Sequence, residues 1–285
     1  MSTSRLLDTS AGRIFSSRSG SGPPLVLFHG YLVSGHYFRA VRPALEKHFD
    51  VIALDLPGHG ESDRPAPSAF DYSFPSLARA MGEAMDVLGV PRAHVYGHST
   101  GGGVALAMAA ESPARVDRLL LEDATAFRLP MPFLARLALL PVVGEFLFVN
   151  FQTRRDLTNH LRGVHLDPKV CTDEDIDFYW ERFNRPGGRV AMHAVLKTLA
   201  GLGDDNAFAA RVQAPTLVVW GDHDKTVPVE WEKKLTPLIA GARSAIIPAC
   251  GHSPHEERPD ELLRTVLPFL LGKGAGDTAA AESRP

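Results

Sequence analysis

Six short apolar runs, most of them followed by a segment with helical spacing, set the strongest limit on what this chain can fold into. They are PLVLFH from Pro24, DVIALD from Asp50, AHVYG from Ala93, RLLLED from Arg118, TLVVW from Thr216 and SAIIP from Ser244. Such runs carry little polar alternation, so both faces of each strand need cover. Alternation with helices then predicts an α/β fold, a mainly parallel sheet with helices on both faces. Helices are expected over His36 to Lys47, Phe74 to Leu88, Thr100 to Glu111, Val229 to Ile239 and Pro259 to Leu270. Between Phe127 and Asn206 the rhythm breaks into helix-rich, aromatic sequence with no convincing strand. The expected organisation is a core of residues 1–126 and 207–271 carrying an inserted helical cap, 127–206. The tail GKGAGDTAAAESRP, 272–285, is too small and polar to offset its ordering entropy and is expected to be disordered.

Composition narrows the setting. The chain has 285 residues, 45% of them hydrophobic and 22% charged, which is enough to bury a full core. Its net charge of -3 is spread without a block of like charge, so neither a nucleic-acid partner nor a polybasic membrane anchor is expected. Cys171 and Cys250 lie far apart and lack metal-ligand spacing, which suits a reducing cytoplasm. The opening MSTSRLLDTSAGRIF lacks the apolar core of an export signal. The most apolar span, from Leu129, is interrupted by Arg136, Pro141, Gly144 and Glu145, so it reads as two short amphipathic helices and not as a stable membrane insertion.

The chemistry centres on GHSTG, Gly97 to Gly101, which fits G-x-S-x-G between a strand and a small-residue helix. A sharp strand-to-helix turn exposes the Ser99 hydroxyl, and the glycines leave space around it. The helix start directs free N–H groups at developing negative charge, which makes the Thr100 amide an oxyanion donor. A serine hydroxyl needs a base and a group to orient that base. Asp224 in WGDHDKTVP and His252 in CGHSPHEERPDE follow two later strands. Loops at the carboxyl ends of parallel strands line one crevice, where these residues can converge.

The order Ser99, Asp224, His252 resembles that of the α/β-hydrolase superfamily. LFHGY, LDLPGHGES, GHSTGGG, GDHD with VP just after, and GHSPHEERP match its motifs in sequence order over roughly the first 270 residues. The resemblance implies an eight-stranded, mainly parallel sheet with a variable lid. It also implies Ser99 as nucleophile, His252 as base, Asp224 as the orienting acid, and the Tyr31 and Thr100 amides as the oxyanion hole. Asp123 is the rival acid, because some members carry the acid on the earlier strand. His29 and His98 read as structural hydrogen-bonders, and His255 as a supporting or surface residue. Haloalkane dehalogenases and epoxide hydrolases of the superfamily carry aspartate where this chain has Ser99, so a carbonyl substrate is favoured.

The expected activity is hydrolysis of a carboxylic ester, or a related acyl compound, of a hydrophobic small molecule. The alternatives are C–C, amide or perhydrolase chemistry with the same triad, and a non-catalytic ligand-binding member of the fold. No metal or cofactor is expected, since the histidines lack helical spacing with a carboxylate and no phosphate loop occurs. Among the apolar residues of the cap, Met131, Phe133, Leu134 and Trp180 are the candidate substrate contacts.

Overall fold

The computed structural model describes residues 2–130, 136–140 and 142–272. Eight strands form one sheet: β1 Thr3–Thr9, β2 Gly12–Gly20, β3 Pro24–Phe28, β4 Asp50–Leu54, β5 Ala93–His98, β6 Val116–Glu122, β7 Thr216–Gly221 and β8 Arg243–Ile247. Their order is β1-β2-β4-β3-β5-β6-β7-β8. β3 to β8 run parallel, and β2 joins β4 antiparallel. All six apolar runs are strands. Alternate residues feed two cores: Val26, Phe28, Ile52, Val95, Leu119 and Val218 on one face, and Leu25, Leu27, Val51, Tyr96, Leu120 and Val219 on the other. Helices cover each side, because an uncovered face of this kind would leave apolar surface in water.

The β1–β2 hairpin was not legible as strand. TSRLLDT is mostly exposed and GRIFSSRSG is polar and only partly buried; the paired Leu7 and Ile14, with Ala11 of the turn, are the residues the hairpin inserts into the core. With so few buried positions the period-2 signal is weak.

The helices are α1 Arg42–Leu45, α2 Phe74–Val87, α3 Thr100–Glu111, α4 Val143–Phe151, α5 Arg154–Gly163, α6 Asp173–Phe183, α7 Gly188–Ala200, α8 Glu230–Leu235, α9 Pro254–Glu257 and α10 Pro259–Leu270. Two expected helices are shorter. The first splits into a 3-10 turn, Gly35–Phe38, and α1; Pro43 cannot continue a helix that began earlier. At Pro237 the α8 helix likewise gives way to a 3-10 turn, Thr236–Leu238. Between β6 and β7, α4 to α7 supply helix and no strand among the described residues. Apart from Gly272, the expected tail lies outside those residues. No helix among them is long and apolar enough to cross a membrane. Both cysteines are free and buried.

Helix α3 is buried along nearly its whole length. A Cβ at Gly101 would lie 2.1 Å from the Phe28 carbonyl oxygen, and one at Gly103 would lie 2.2 Å from the Phe74 ring. These glycines let the helix approach β3 and α2 closely. At the end of β3, His29 is buried as a neutral ring: Nε2 accepts from the Leu56 amide at 2.9 Å, and Nδ1 donates to the Gly30 carbonyl at 2.8 Å. Burial pushes its pKa down to about 4, and pushes those of His59 and His98 well below the ordinary histidine value.

Gly101→Ala should destabilise the fold by about 3 kcal/mol through overpacking against backbone. Gly163→Ala, where a Cβ would meet nothing within 4 Å, should change stability by no more than about 1 kcal/mol. Chemical denaturation of the two variants checks this contrast. A histidine with a depressed folded pKa contributes stability above its unfolded pKa and loses it as pH falls. Between pH 6.5 and 5, His29 alone should cost about 2 kcal/mol. Melting temperature should therefore drop steeply over that interval; a flat profile would contradict the neutral buried ring.

Candidate active site

Ser99 lies between β5 and α3 with φ 53° and ψ -119°, a left-handed conformation unusual for a residue with a side chain. The turn is held from several sides. Its amide donates to the Glu122 carbonyl at 3.0 Å, and its carbonyl accepts from Gly102 at 2.9 Å, Gly103 at 3.2 Å and Thr125 at 2.9 Å.

The loops after β7 and β8 bring Asp224 and His252 to this turn. His252 Nε2 lies 2.9 Å from Ser99 Oγ, and His252 Nδ1 lies 2.7 Å from Asp224 Oδ2. The other carboxylate oxygen of Asp224 accepts from the amides of Thr226 at 2.7 Å and Val227 at 3.0 Å. This network assigns the Nδ1–H tautomer and leaves Nε2 to accept the serine proton. The His252 backbone is fixed as well: its amide donates to Val164 at 2.9 Å, and His98 Nε2 donates to its carbonyl at 2.8 Å. Burial, then the neighbouring His255 and His252, keeps His98 neutral.

Other titratable residues near this network have different places. Asp222 accepts from the Cys250 amide and pairs with His223, away from the His252 ring. His255 is fully buried, with its ring and amide on Glu122, so it is not a surface residue. Asp123 is fully buried beside Asp224, and its Oδ1 accepts from the Gly221 amide at 3.0 Å. Asp123, Asp224 and His252 each offer an atom within 4.8 Å of the others. The 2.7 Å between His252 and Asp224 fits a shared proton. Ligand atoms around a tetrahedral ion sit farther apart, roughly 3.3 Å.

Above Ser99 lies a cavity of about 410 Å³. Tyr31, Thr100 and Gly30 form its wall near the serine. Among the described residues, neither the Tyr31 nor the Thr100 amide donates to a turn or loop partner. Leu129, Phe148, Leu157, Leu161, Phe183 and Leu199 make the remainder mainly apolar, with Asp156 and Lys225 as the charged residues on its wall. Trp180 is not among the lining residues: its ring packs on Phe183 with the Arg189 guanidinium nearby, so helix packing has taken the face expected to meet substrate. Met131, Phe133 and Leu134 lie outside the described residues. His160, which lines the cavity edge-on to Tyr31, was missed, because a single histidine in a polar helix carries no sequence signal. A larger cleft of about 730 Å³, near Arg5, Arg42 and Arg182, contains none of Ser99, Asp224 and His252. Two of its arginines are paired, Arg42 with Glu46 and Arg182 with Glu61.

Comparison with known proteins agrees with this architecture. A relative from Comamonas testosteroni, 2-hydroxy-6-oxo-6-phenylhexa-2,4-dienoate hydrolase, is 29% identical over 274 residues, covering 92% of this chain and 93% of that protein. The solved meta-cleavage product hydrolase CumD from Pseudomonas fluorescens superposes with a TM-score of 0.80 at 27% identity, covering 94% of this chain and 97% of that one. The epoxide hydrolase CorEH gives a TM-score of 0.79 at 25% identity, covering 95% and 99%. The family model described as alpha/beta hydrolase fold matches residues 23–259. With the sheet order and this match over most of its length, the chain belongs to the α/β-hydrolase fold family.

Proposed function

We propose that the protein is a serine hydrolase that cleaves a carboxylic ester, or a related acyl compound, of a hydrophobic small molecule through an acyl-enzyme on Ser99. The supporting observation is the hydrogen-bonded chain from Ser99 Oγ through His252 to Asp224, opening on an apolar cavity. In the first half-reaction His252 Nε2 takes the hydroxyl proton while Ser99 Oγ attacks the carbonyl carbon. The imidazolium then protonates the leaving alkoxide, and the acyl group stays on Ser99. In the second half-reaction His252 takes a proton from water, the hydroxide attacks the acyl carbon, and the proton returns to Ser99 as the acid leaves. Asp224 balances the imidazolium charge. The Tyr31 and Thr100 amides stabilise the tetrahedral oxyanion, each worth about 3 kcal/mol.

In this reading residues 127–206 act as a cap over a core of residues 1–126 and 207–271, and the apolar wall supplied by α4, α5 and α7 selects the acyl group. The substrate is a small hydrophobic molecule, with no metal or cofactor taking part. The two free buried cysteines fit a reducing cytoplasm. A second reading, C–C hydrolysis of an anionic diketone by the same triad, is supported by the dienoate hydrolase among the relatives, with Lys225 of the cavity wall as the candidate partner of the anion. Ser99 separates both readings from the aspartate-dependent chemistry of epoxide hydrolases.

Hydrolysis of p-nitrophenyl esters tests the first reading. Ser99→Ala should lower kcat by about 10,000-fold or more while the melting temperature stays near the parent's, and the double variant Ser99→Ala/His252→Ala should be no worse than either single one. Equal rates in parent and Ser99→Ala would overturn the assignment. Because the cavity is mainly apolar and holds about 410 Å³, rates should peak at medium acyl length and fall for palmitate. If C–C cleavage is the reaction, Lys225→Met should raise KM for an aryl dienoate about tenfold and leave neutral esters unchanged; steady-state kinetics on both substrates decides.

A further inference from the structure

Asp123 has no part in the mechanism above, yet it is completely buried at the end of β6 behind the His252–Asp224 pair. Its backbone has φ 45°, its amide donates to the Val219 carbonyl at 2.9 Å, and its Oδ1 accepts from the Gly221 amide at 3.0 Å, so both main chain and carboxyl group are anchored to β7. The two adjacent carboxyl groups are unequally served. Asp224 receives three donors, the amides of Thr226 and Val227 on one oxygen and His252 Nδ1 on the other. Asp123 receives one, the Gly221 amide on Oδ1, while Oδ2 is buried with no hydrogen-bond partner. A bare buried carboxylate oxygen beside a second carboxylate is costly, and one proton removes that cost. The proton belongs on the carboxyl group with fewer donors.

We propose that Asp123 is a protonated positioning residue: it donates through Oδ2 to the Asp224 carboxylate, so the pair carries one negative charge behind His252. This rests on the triad reading and adds a fourth member to it. No bond is made or broken by Asp123 during turnover. Its hydrogen bond holds the Asp224 carboxylate in place and limits the negative charge facing the imidazole. Burial, then the charges of Asp224 and Glu122, push Asp123 well above the usual carboxyl range. The other titratable groups facing it are His252, Tyr96 on β5, and Cys250 before the His252 loop.

The test compares Asp123→Asn, Asp123→Leu and Asp224→Asn with the parent, using p-nitrophenyl butyrate from pH 5 to pH 10. Asparagine tolerates the positive φ and reproduces a neutral acid, with an amide N–H for the carboxyl O–H. Asp123→Asn should keep kcat/KM within about threefold and leave the acid-limb midpoint within about 0.3 unit of the parent, since one charge faces His252 in both. Asp224→Asn should lose about 1,000-fold or more. Asp123→Leu, which cannot donate, should fall at least tenfold below Asp123→Asn. A drop in the Asp123→Asn acid-limb midpoint of about one unit, or a loss matching Asp224→Asn, would place the charge on Asp123 and overturn the proposal.

Infrared difference spectra provide a readout independent of turnover. At pH 7 the parent and Ser99→Ala should both show a protonated-carboxyl carbonyl stretch that is missing in Asp123→Asn; its absence from the parent, or its persistence in Asp123→Asn, overturns the proposal. Full activity in Asp224→Asn would instead defeat the triad reading, while the infrared band would still report the proton.

Discussion

Ser99 holds a backbone conformation that an L-residue keeps only when its surroundings over-determine it. Here they do so through the carbonyl, which receives three amides, and through the Ser99 amide on β6. Because that carbonyl is fixed, α3 starts at a defined point and angle. Its glycines then let it lie against β3 and α2 at distances no larger residue would permit. The same turn presents Oγ to the cavity and exposes the first amide of α3 beside it. Sheet, helix and candidate nucleophile therefore share one geometric condition.

The histidine side of the site depends on a different kind of support. His252 belongs to a loop, and loops acquire precision from what they touch. Its amide is held by Val164 at the end of α5, its carbonyl by His98, and the following turn by Glu122 through His255. Arg39 joins this region to the inserted helices, meeting Asp175 at 2.9 Å and Glu256 at 2.5 Å. The helices between β6 and β7 thus reach the histidine loop directly as well as lining the cavity. Movement of α5 would be felt at the His252 backbone.

Much of the site was legible because motif chemistry is local. GHSTG requires small flanking residues at a strained turn, and GDHD and GHSPHEERP follow apolar runs whose strand character was evident. Convergence of Ser99, Asp224 and His252 then follows from parallel strands ending on one edge. The cavity wall was less legible. Phe148 and Phe183 reach it, whereas Trp180 turns aside to pack on Phe183, and nothing in helical periodicity separates those outcomes. The β1–β2 hairpin was hidden for a related reason, since it is held by pairing with β4, by a small buried set around Leu7 and Ile14, and by side-chain bonds to distant residues such as Asp50 and Asp63.

The sequence by itself determined the alternation of strands and helices in the core from β3 onward, the elbow serine, and the candidate acids and base, because each depends on residue types within a few positions. Tertiary structure alone decided which inserted residues face the cavity and which face one another, since that depends on the angles at which α4 to α7 meet the sheet. It also decided the relation between Asp123 and Asp224. As sequence they were competing candidates for one role. In the fold they are neighbours, 101 positions apart in the chain, behind a single imidazole, and the unequal supply of backbone amides distinguishes their chemistry.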